Sequence, residues 1–157
     1  MSSYESPIGR LHLQASTRGL TWCHVRRPAV PGPTTCPCID VAMRELDEYF
    51  AGTRTEFSVP VDLPGADVDP LDARILTTLT ETVAPGRTTT YGALARLIGD
   101  VDAQRVGAAL AANPVLIVVP CHRVVGANGK LTGYAAGLRN KQHLLDLEAG
   151  QPSLAIA

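Results

Sequence analysis

The chain has 157 residues, 45% of them hydrophobic and 18% charged, with 14 basic against 15 acidic side chains. That composition suits one moderate globular core or two small ones, and it excludes a disordered polymer or a strongly electrostatic nucleic-acid binder. No signal peptide is visible and no stretch approaches the roughly 18 apolar residues of a membrane span, so a cytoplasmic setting without membrane contact, its 4 cysteines reduced, is expected.

In chain order, alternation over 10–15 pairs with 20–25 across a turn at 16–19. Ile39, Ala42, Met43, Leu46, Tyr49 and Phe50 then fall at helical spacing up to Gly52, and 57–61 reads as a further strand. The stretch 63–69, with Pro64 and few apolar residues before Pro70, is the expected linker. It divides a small α/β domain over 1–66 from a second domain over 67–157. Residues 1–70 carry 6 basic and 9 acidic side chains and residues 71–157 carry 8 and 6, so any DNA contact belongs to the second half. Cys23, His24, Cys36 and Cys38 can in principle supply four zinc ligands, but their spacing is unlike a paired Cys-x-x-Cys site and reduced cysteines, with no metal, are expected.

Asp69-Pro70 is an N-cap and first-turn pair for a helix carrying Leu71, Ile75, Leu76, Leu79 and Val83 up to Pro85-Gly86. Thr90 caps a second helix with Leu94, Leu97 and Ile98, closed by Gly99. Asp102 caps a third, through Val106 and Leu110 to Ala112, stopped by Asn113-Pro114. The last two form a helix-turn-helix pattern. The third helix, Val106-Gly107-Ala108-Ala109-Leu110-Ala111-Ala112, has almost no side-chain bulk. Either it packs closely on another helix, or it presents a low surface to a minor groove with Gln104 or Arg105 at its start.

Five apolar residues over 115–119 predict a buried strand that delivers Cys121 at its exit, inside Pro120-Cys121-His122-Arg123-Val124. A buried neutral thiol is a weak nucleophile, and His122 can supply the base it needs, directly or through water. Asn128-Gly129 predicts a hairpin between Val124-Val125 and Lys130-Leu131, resembling a wing. After Tyr134-Ala135-Ala136-Gly137, a helix over 138–148 ends at Gly150. A carboxylate at its last turn opposes the helix dipole, so Glu148 is expected to have a partner such as His122.

These motifs together resemble the O6-alkylguanine-DNA alkyltransferase family, the methylated-DNA–protein-cysteine methyltransferases. The match runs in order through Pro85-Gly86, Thr90-Tyr91-Gly92, Val106-Gly107, Asn113-Pro114, Pro120 to Gly126, Asn128-Gly129, Gly133-Tyr134, Gly137-Leu138, Lys141 and Glu148, and in the first half through Ser6-Pro7-Ile8-Gly9 and Leu46 to Gly52. It implies a ribonuclease-H-like α/β domain followed by a winged helix-turn-helix-like DNA-binding domain. It also implies a monomer that needs no cofactor, acts on alkylated bases in double-stranded DNA and is consumed in one turnover.

Residue by residue, the resemblance makes Cys121 the alkyl acceptor, His122 its base through water, Glu148 the group orienting His122, and Asn113 a brace behind the thiol. Tyr134 and the Ala135 N–H would bond the flipped purine, whose exocyclic amine would meet main-chain carbonyls at Cys121 and Val124. Lys141 matches a lysine near the pocket, and Ala136 adds a methyl there that disfavours bulky adducts. Tyr91, Gly107, Ala108 and Arg123 would face DNA. The intercalating arginine falls on Gln104, with Arg105 one residue later and chosen here for the role. Leu71 and Leu76 replace an expected phenylalanine and tryptophan. The rival readings are a lesion-binding protein without an acceptor, a cysteine hydrolase, and a small-molecule alkyl acceptor.

Overall fold

A computed structural model describes residues 2–30, 32 and 36–150. Part of the proline-rich stretch before Cys36, and the end of the second domain beyond 150, therefore lie outside the described residues.

The first unit is a three-stranded antiparallel sheet in the order β1 (Ser2–Ser6), β2 (Gly9–Ser16), β3 (Gly19–His24), covered by α1 (Pro37–Phe50). The expected pairing of 10–15 with 20–25 is present, with a register shift between Gln14 and Ala15. β1 was not legible in the sequence, because Ser2–Ser6 alternates partly buried with exposed residues and has little apolar content. At Gly19, a Cβ would stand 2.6 Å from the Pro60 carbonyl oxygen, so only glycine lets the 60–62 segment bond to Leu20.

The strand expected over 57–61 is not formed. A single bridge joins Val61 to Leu20. The amides of Ser58 and Val59 instead donate to the carboxylate of Glu45, a fully buried residue on α1. That carboxylate satisfies N–H groups that a ladder would otherwise have taken. The expected linker holds a 3-10 turn at Pro64–Ala66.

The second unit holds α2 (Pro70–Thr82), β4 (Thr89–Thr90), α3 (Tyr91–Ile98), α4 (Ala103–Ala111), β5 (Val124–Val125) and α5 (Leu138–Glu148). All three expected caps are made: Asp69 accepts from the amides of Leu71 and Asp72, Thr90 from Ala93 and Asp102 from Arg105. α4 packs on α2 and α3 through Val106 and Ala109, and leaves Gln104, Ala108, Ala111 and Ala112 exposed. The small-residue face is thus free, and the helix-packing alternative for that face is set aside.

Two further expectations are corrected. Residues 115–119 are buried, yet they form a tight turn, with Ile117 at φ 73°. Val115 and Leu116 dock on Cys23 of β3 while the chain folds back. Asn113 closes the turn, its Nδ2 donating to the Val119 carbonyl at 3.0 Å and its Oδ1 accepting from the Val115 amide at 2.9 Å. An apolar run reports burial, and it cannot distinguish a strand from a turn whose polar groups a side chain satisfies. The hairpin is also absent. β5 pairs in parallel with β4, and 126–130 is a loop closed by the Gly126 amide on the Lys130 carbonyl, with Asn128 and Gly129 at φ 67° and 75°. Asn-Gly makes the predicted turn, but no return strand follows it among the described residues, where β5 pairs with β4 alone. No helix among the described residues is long and apolar enough to cross a membrane.

Candidate active site

The turn at 115–119 ends in a short 3-10 helix, Cys121–Arg123, whose three residues are all buried. Cys121 is 6% exposed and reaches a cavity of about 340 Å³. Tyr91, Gly107 and Ala111 of the helix pair, Asn113, and Gly133, Tyr134 and Ala135 of the loop before α5 also line it. A larger cavity of about 510 Å³ lies between 55–63 and the end of α2. It touches Arg123 and does not reach the thiol, so the smaller cavity is the one placed for sulfur chemistry. Burial pushes the Cys121 thiol up to about 11, against the lowering influence of the Asn113 side chain and the Lys141 charge. At neutral pH the sulfur therefore holds its proton.

Behind the thiol stands a closed polar network. The Nε2 of His122 lies 2.6 Å from Glu148 Oε2. Arg123 donates to the same carboxylate through Nε at 2.7 Å and Nη2 at 3.1 Å, and through Nη1 to the Val83 carbonyl at 2.8 Å. Tyr49 of α1 donates its hydroxyl to Glu148 Oε2 at 2.7 Å. Burial alone would raise Glu148, but the hydrogen bonds from His122 and Arg123, the charge of Arg123 and that of His122 whenever it is protonated bring it down to about 2. Glu148 is thus an ion with three donors, which answers why a carboxylate ends this helix. With Nε2 donating to that ion, the proton of the neutral imidazole sits on Nε2 and Nδ1 keeps its lone pair. The buried Nδ1 has no partner among the described residues.

Tyr134 approaches His122 edge-on, with ring centroids 6.4 Å apart, and its buried hydroxyl has no hydrogen-bond partner among the described residues. Burial raises that hydroxyl well above its ordinary pKa, so it is a donor. The loop carrying it is tied at four points: Lys141 Nζ on the Thr132 carbonyl at 2.6 Å, Tyr91 with Thr132 through their hydroxyls at 2.9 Å, Asn140 on the Ala136 carbonyl at 2.8 Å, and the Gly137 amide on the Tyr134 carbonyl at 2.9 Å.

Cys121, His122, Glu148, Asn113 and Tyr134 are therefore one cluster. Ala135 joins the cavity wall, whereas Val124, Lys141 and Ala136 are not among its lining residues. Lys141 is buried and holds the loop from below. Gly107 and the ring of Tyr91 sit side by side on the open side, next to exposed Ala108. Arg123, expected at a DNA surface, is corrected to an interior residue: it is 6% exposed, and Glu148 and Val83 consume its donors. Arg105 is bound to Asp72 at 2.5 Å and to Asp69 at 3.3 Å, while Gln104 projects from the exposed face. The candidate zinc ligands do not assemble. No group of three or more His, Cys, Asp or Glu side chains suited to a metal occurs among the described residues.

Two contributors were missed in the sequence. Tyr49 comes from 99 residues away, and Arg26, exposed just after β3, lines the thiol cavity from the first unit. Neither carries a local motif, so only the docking of the two units reveals them.

Residues 1–63 match the model of the 6-O-methylguanine DNA methyltransferase ribonuclease-like domain, and residues 70–150 that of the family's DNA-binding domain. A methylated-DNA–protein-cysteine methyltransferase of Mycolicibacterium paratuberculosis is 43% identical over 150 residues, covering 92% of this chain and 88% of that protein. One from Methanosarcina acetivorans is 39% identical over 152 residues, covering 92% and 95%. The crystal structure of Mycobacterium tuberculosis OGT in complex with DNA superposes with a TM-score of 0.85 at 37% identity, over 98% of this chain and 96% of that one. With both halves matched and relatives aligned nearly end to end, the chain belongs to the 6-O-methylguanine DNA methyltransferase family.

Proposed function

We propose that this protein repairs double-stranded DNA by moving an alkyl group from the O6 of guanine to the sulfur of Cys121, once and irreversibly, as a monomer. The observation that carries this reading is a cavity lined by both the protonated Cys121 thiol and Tyr134, whose buried hydroxyl has no partner among the described residues, with the equally unpartnered Nδ1 of His122 on the next residue of the chain. The thiol proton passes through water to Nδ1, and the ionised Glu148 holds the resulting imidazolium. Sulfur attacks the alkyl carbon, the C–S bond forms as the C–O bond breaks, and the electron pair stays on the guanine. Tyr134 and the Ala135 N–H donate to the purine as it gains that charge. The thioether has no hydrolytic exit, so each molecule acts once.

A stacked guanine cannot reach a buried thiol, so the base is flipped at a cost of a few kcal/mol. The exposed small face of α4, with Gln104, Gly107 and Ala108, takes the minor groove, and Tyr91 stands where the extruded nucleotide passes. Gln104 is the residue in position to fill the vacated stack. Arg105, the choice made from sequence, would first have to leave Asp69 and Asp72. Val124 offers its main-chain carbonyl to the exocyclic amine, the Ala136 methyl disfavours bulky adducts, and Lys141 acts by holding the loop. The two domains divide within 64–69, the stretch between the matched regions.

Intact mass tests the reading. Incubation with a duplex holding one O6-methylguanine should add one methylene unit per protein, on Cys121, and Cys121→Ala should abolish the gain. Binding without mass gain identifies a lesion sensor. Repeated turnover identifies a hydrolase.

A further inference from the structure

The start of α1 carries a Cys-Pro-Cys run that takes no part in the site above. Cys36 is the N-cap, in extended backbone at φ −153° and ψ 139°, and Pro37 opens the helix. This bend brings the two sulfurs to 2.8 Å, closer than an ordinary contact and wider than the ~2.05 Å of a disulfide. Both residues are partly exposed. The Cys36 thiol is lowered, first by the hydrogen bond with Cys38 and then by backbone N–H groups of the helix start, while burial and Asp40 oppose. Burial pushes Cys38 up to about 11. One sulfur is thus the readier thiolate and its neighbour keeps a proton, which is the division of labour between an attacking and a resolving thiol. Cys23 and Cys121 are both buried.

We propose that Cys36 and Cys38 form a thiol–disulfide exchange site for low-molecular-weight disulfides such as glutathione disulfide, separate from the alkyl acceptor and independent of the alkyl-transfer reading. The Cys36 thiolate attacks one sulfur of the disulfide and releases a thiolate, leaving a mixed disulfide on Cys36. Cys38 gives its proton to the departing thiolate and attacks the Cys36 sulfur, expelling the second thiolate, which takes up the proton Cys36 lost to solvent. Two protein thiols are oxidised to one disulfide, and the small disulfide is reduced to two thiols. A ring closed across a single proline is strained, so the bond is readily reduced again and serves exchange better than it serves as a staple.

The test treats the reduced full-length protein with glutathione disulfide, quenches exchange with acid, blocks remaining thiols with N-ethylmaleimide after unfolding in guanidinium chloride, and maps peptides by mass. The expected result is a peptide linking Cys36 to Cys38, two hydrogens lighter and unblocked, with Cys121 still blocked and therefore free beforehand. Cys38→Ser should accumulate glutathione on Cys36, and Cys36→Ser should leave Cys38 slow to react. The proposal is overturned if Cys36 and Cys38 both remain blockable, if Cys121 reacts first, or if wild type and Cys38→Ser retain equal glutathione on Cys36.

Discussion

Glu148 holds His122, Arg123 and Tyr49 on one buried carboxylate. Its replacement strands three donors, so Glu148→Ala should cost about 3–5 kcal/mol in urea unfolding, the range for breaking a buried ion pair. It should also slow methyl transfer, because His122 loses both its tautomer and the charge that stabilises its protonated form. The depressed pKa gives a sign with pH. The folded protein keeps Glu148 ionised to about 2, whereas its ordinary value is 4.5. Its contribution is therefore present above about 4.5 and lost as pH falls toward 2, which acid titration followed by circular dichroism will show. Cys121 runs the other way. Its thiol stays protonated to about 11 against an ordinary 9.0, so stability from this group is intact below 9.0 and declines as pH rises through about 11. Iodoacetamide labelling of Cys121 should accelerate across the same alkaline range.

At the scale of elements, α4 is the helix proposed to meet DNA. Asp102 caps it on the Arg105 amide, and Asp102→Ala should destabilise the protein by about 1 kcal/mol. Gln104→Ala should lower the alkyl-transfer rate on duplex DNA severalfold and leave the rate on free O6-methylguanine unchanged, since a wedge matters only where a base must be extruded. Arg105→Ala should change the duplex rate less and reduce stability by no more than about 1 kcal/mol, the range for a partly exposed ion pair. A larger duplex effect for Arg105→Ala than for Gln104→Ala would show that Arg105 leaves its carboxylates on binding. The 132–137 loop depends on α5 in the same way, through Lys141 and Asn140, so Lys141→Met should disorder Tyr134 and slow transfer to duplex and free base alike.

At the scale of the molecule, the two units meet at the candidate active site. Tyr49 crosses from α1 to Glu148, and the Asn140 side chain of α5 reaches the Ile8 carbonyl at 3.2 Å. Tyr49→Phe removes a hydrogen bond to an ion and should cost about 2 kcal/mol, with a matching loss in transfer rate if the first unit steadies the network. The near-balanced charge, 14 basic against 15 acidic, predicts a shallow dependence of DNA binding on salt. Fluorescence anisotropy across a salt series measures that slope, and Arg26→Ala should reduce it by about one unit if this cavity-lining cation contacts a phosphate.

The sequence by itself determined the order of helices, the three side-chain caps, the turn at Asn128-Gly129, and the candidate cluster around Cys121 and His122. These are local signals: cap chemistry, spacing and residue type act within a few positions of the chain. It also required a partner for Glu148, because a carboxylate at a helix C-terminus has an electrostatic reason to find one. Tertiary structure decided what became of each apolar or charged residue once distant groups competed for it. Asn113 turned the run over 115–119 back on itself, Glu45 took the amides of Ser58 and Val59, and Val124–Val125 paired in parallel with the distant Thr89–Thr90. Arg123 went to Glu148 and Arg105 to Asp72 because those carboxylates lie nearby only in the folded chain. A hydrogen bond or ion pair is a property of two positions in space, and residues 25 or 33 apart in sequence leave no trace of it in either neighbourhood.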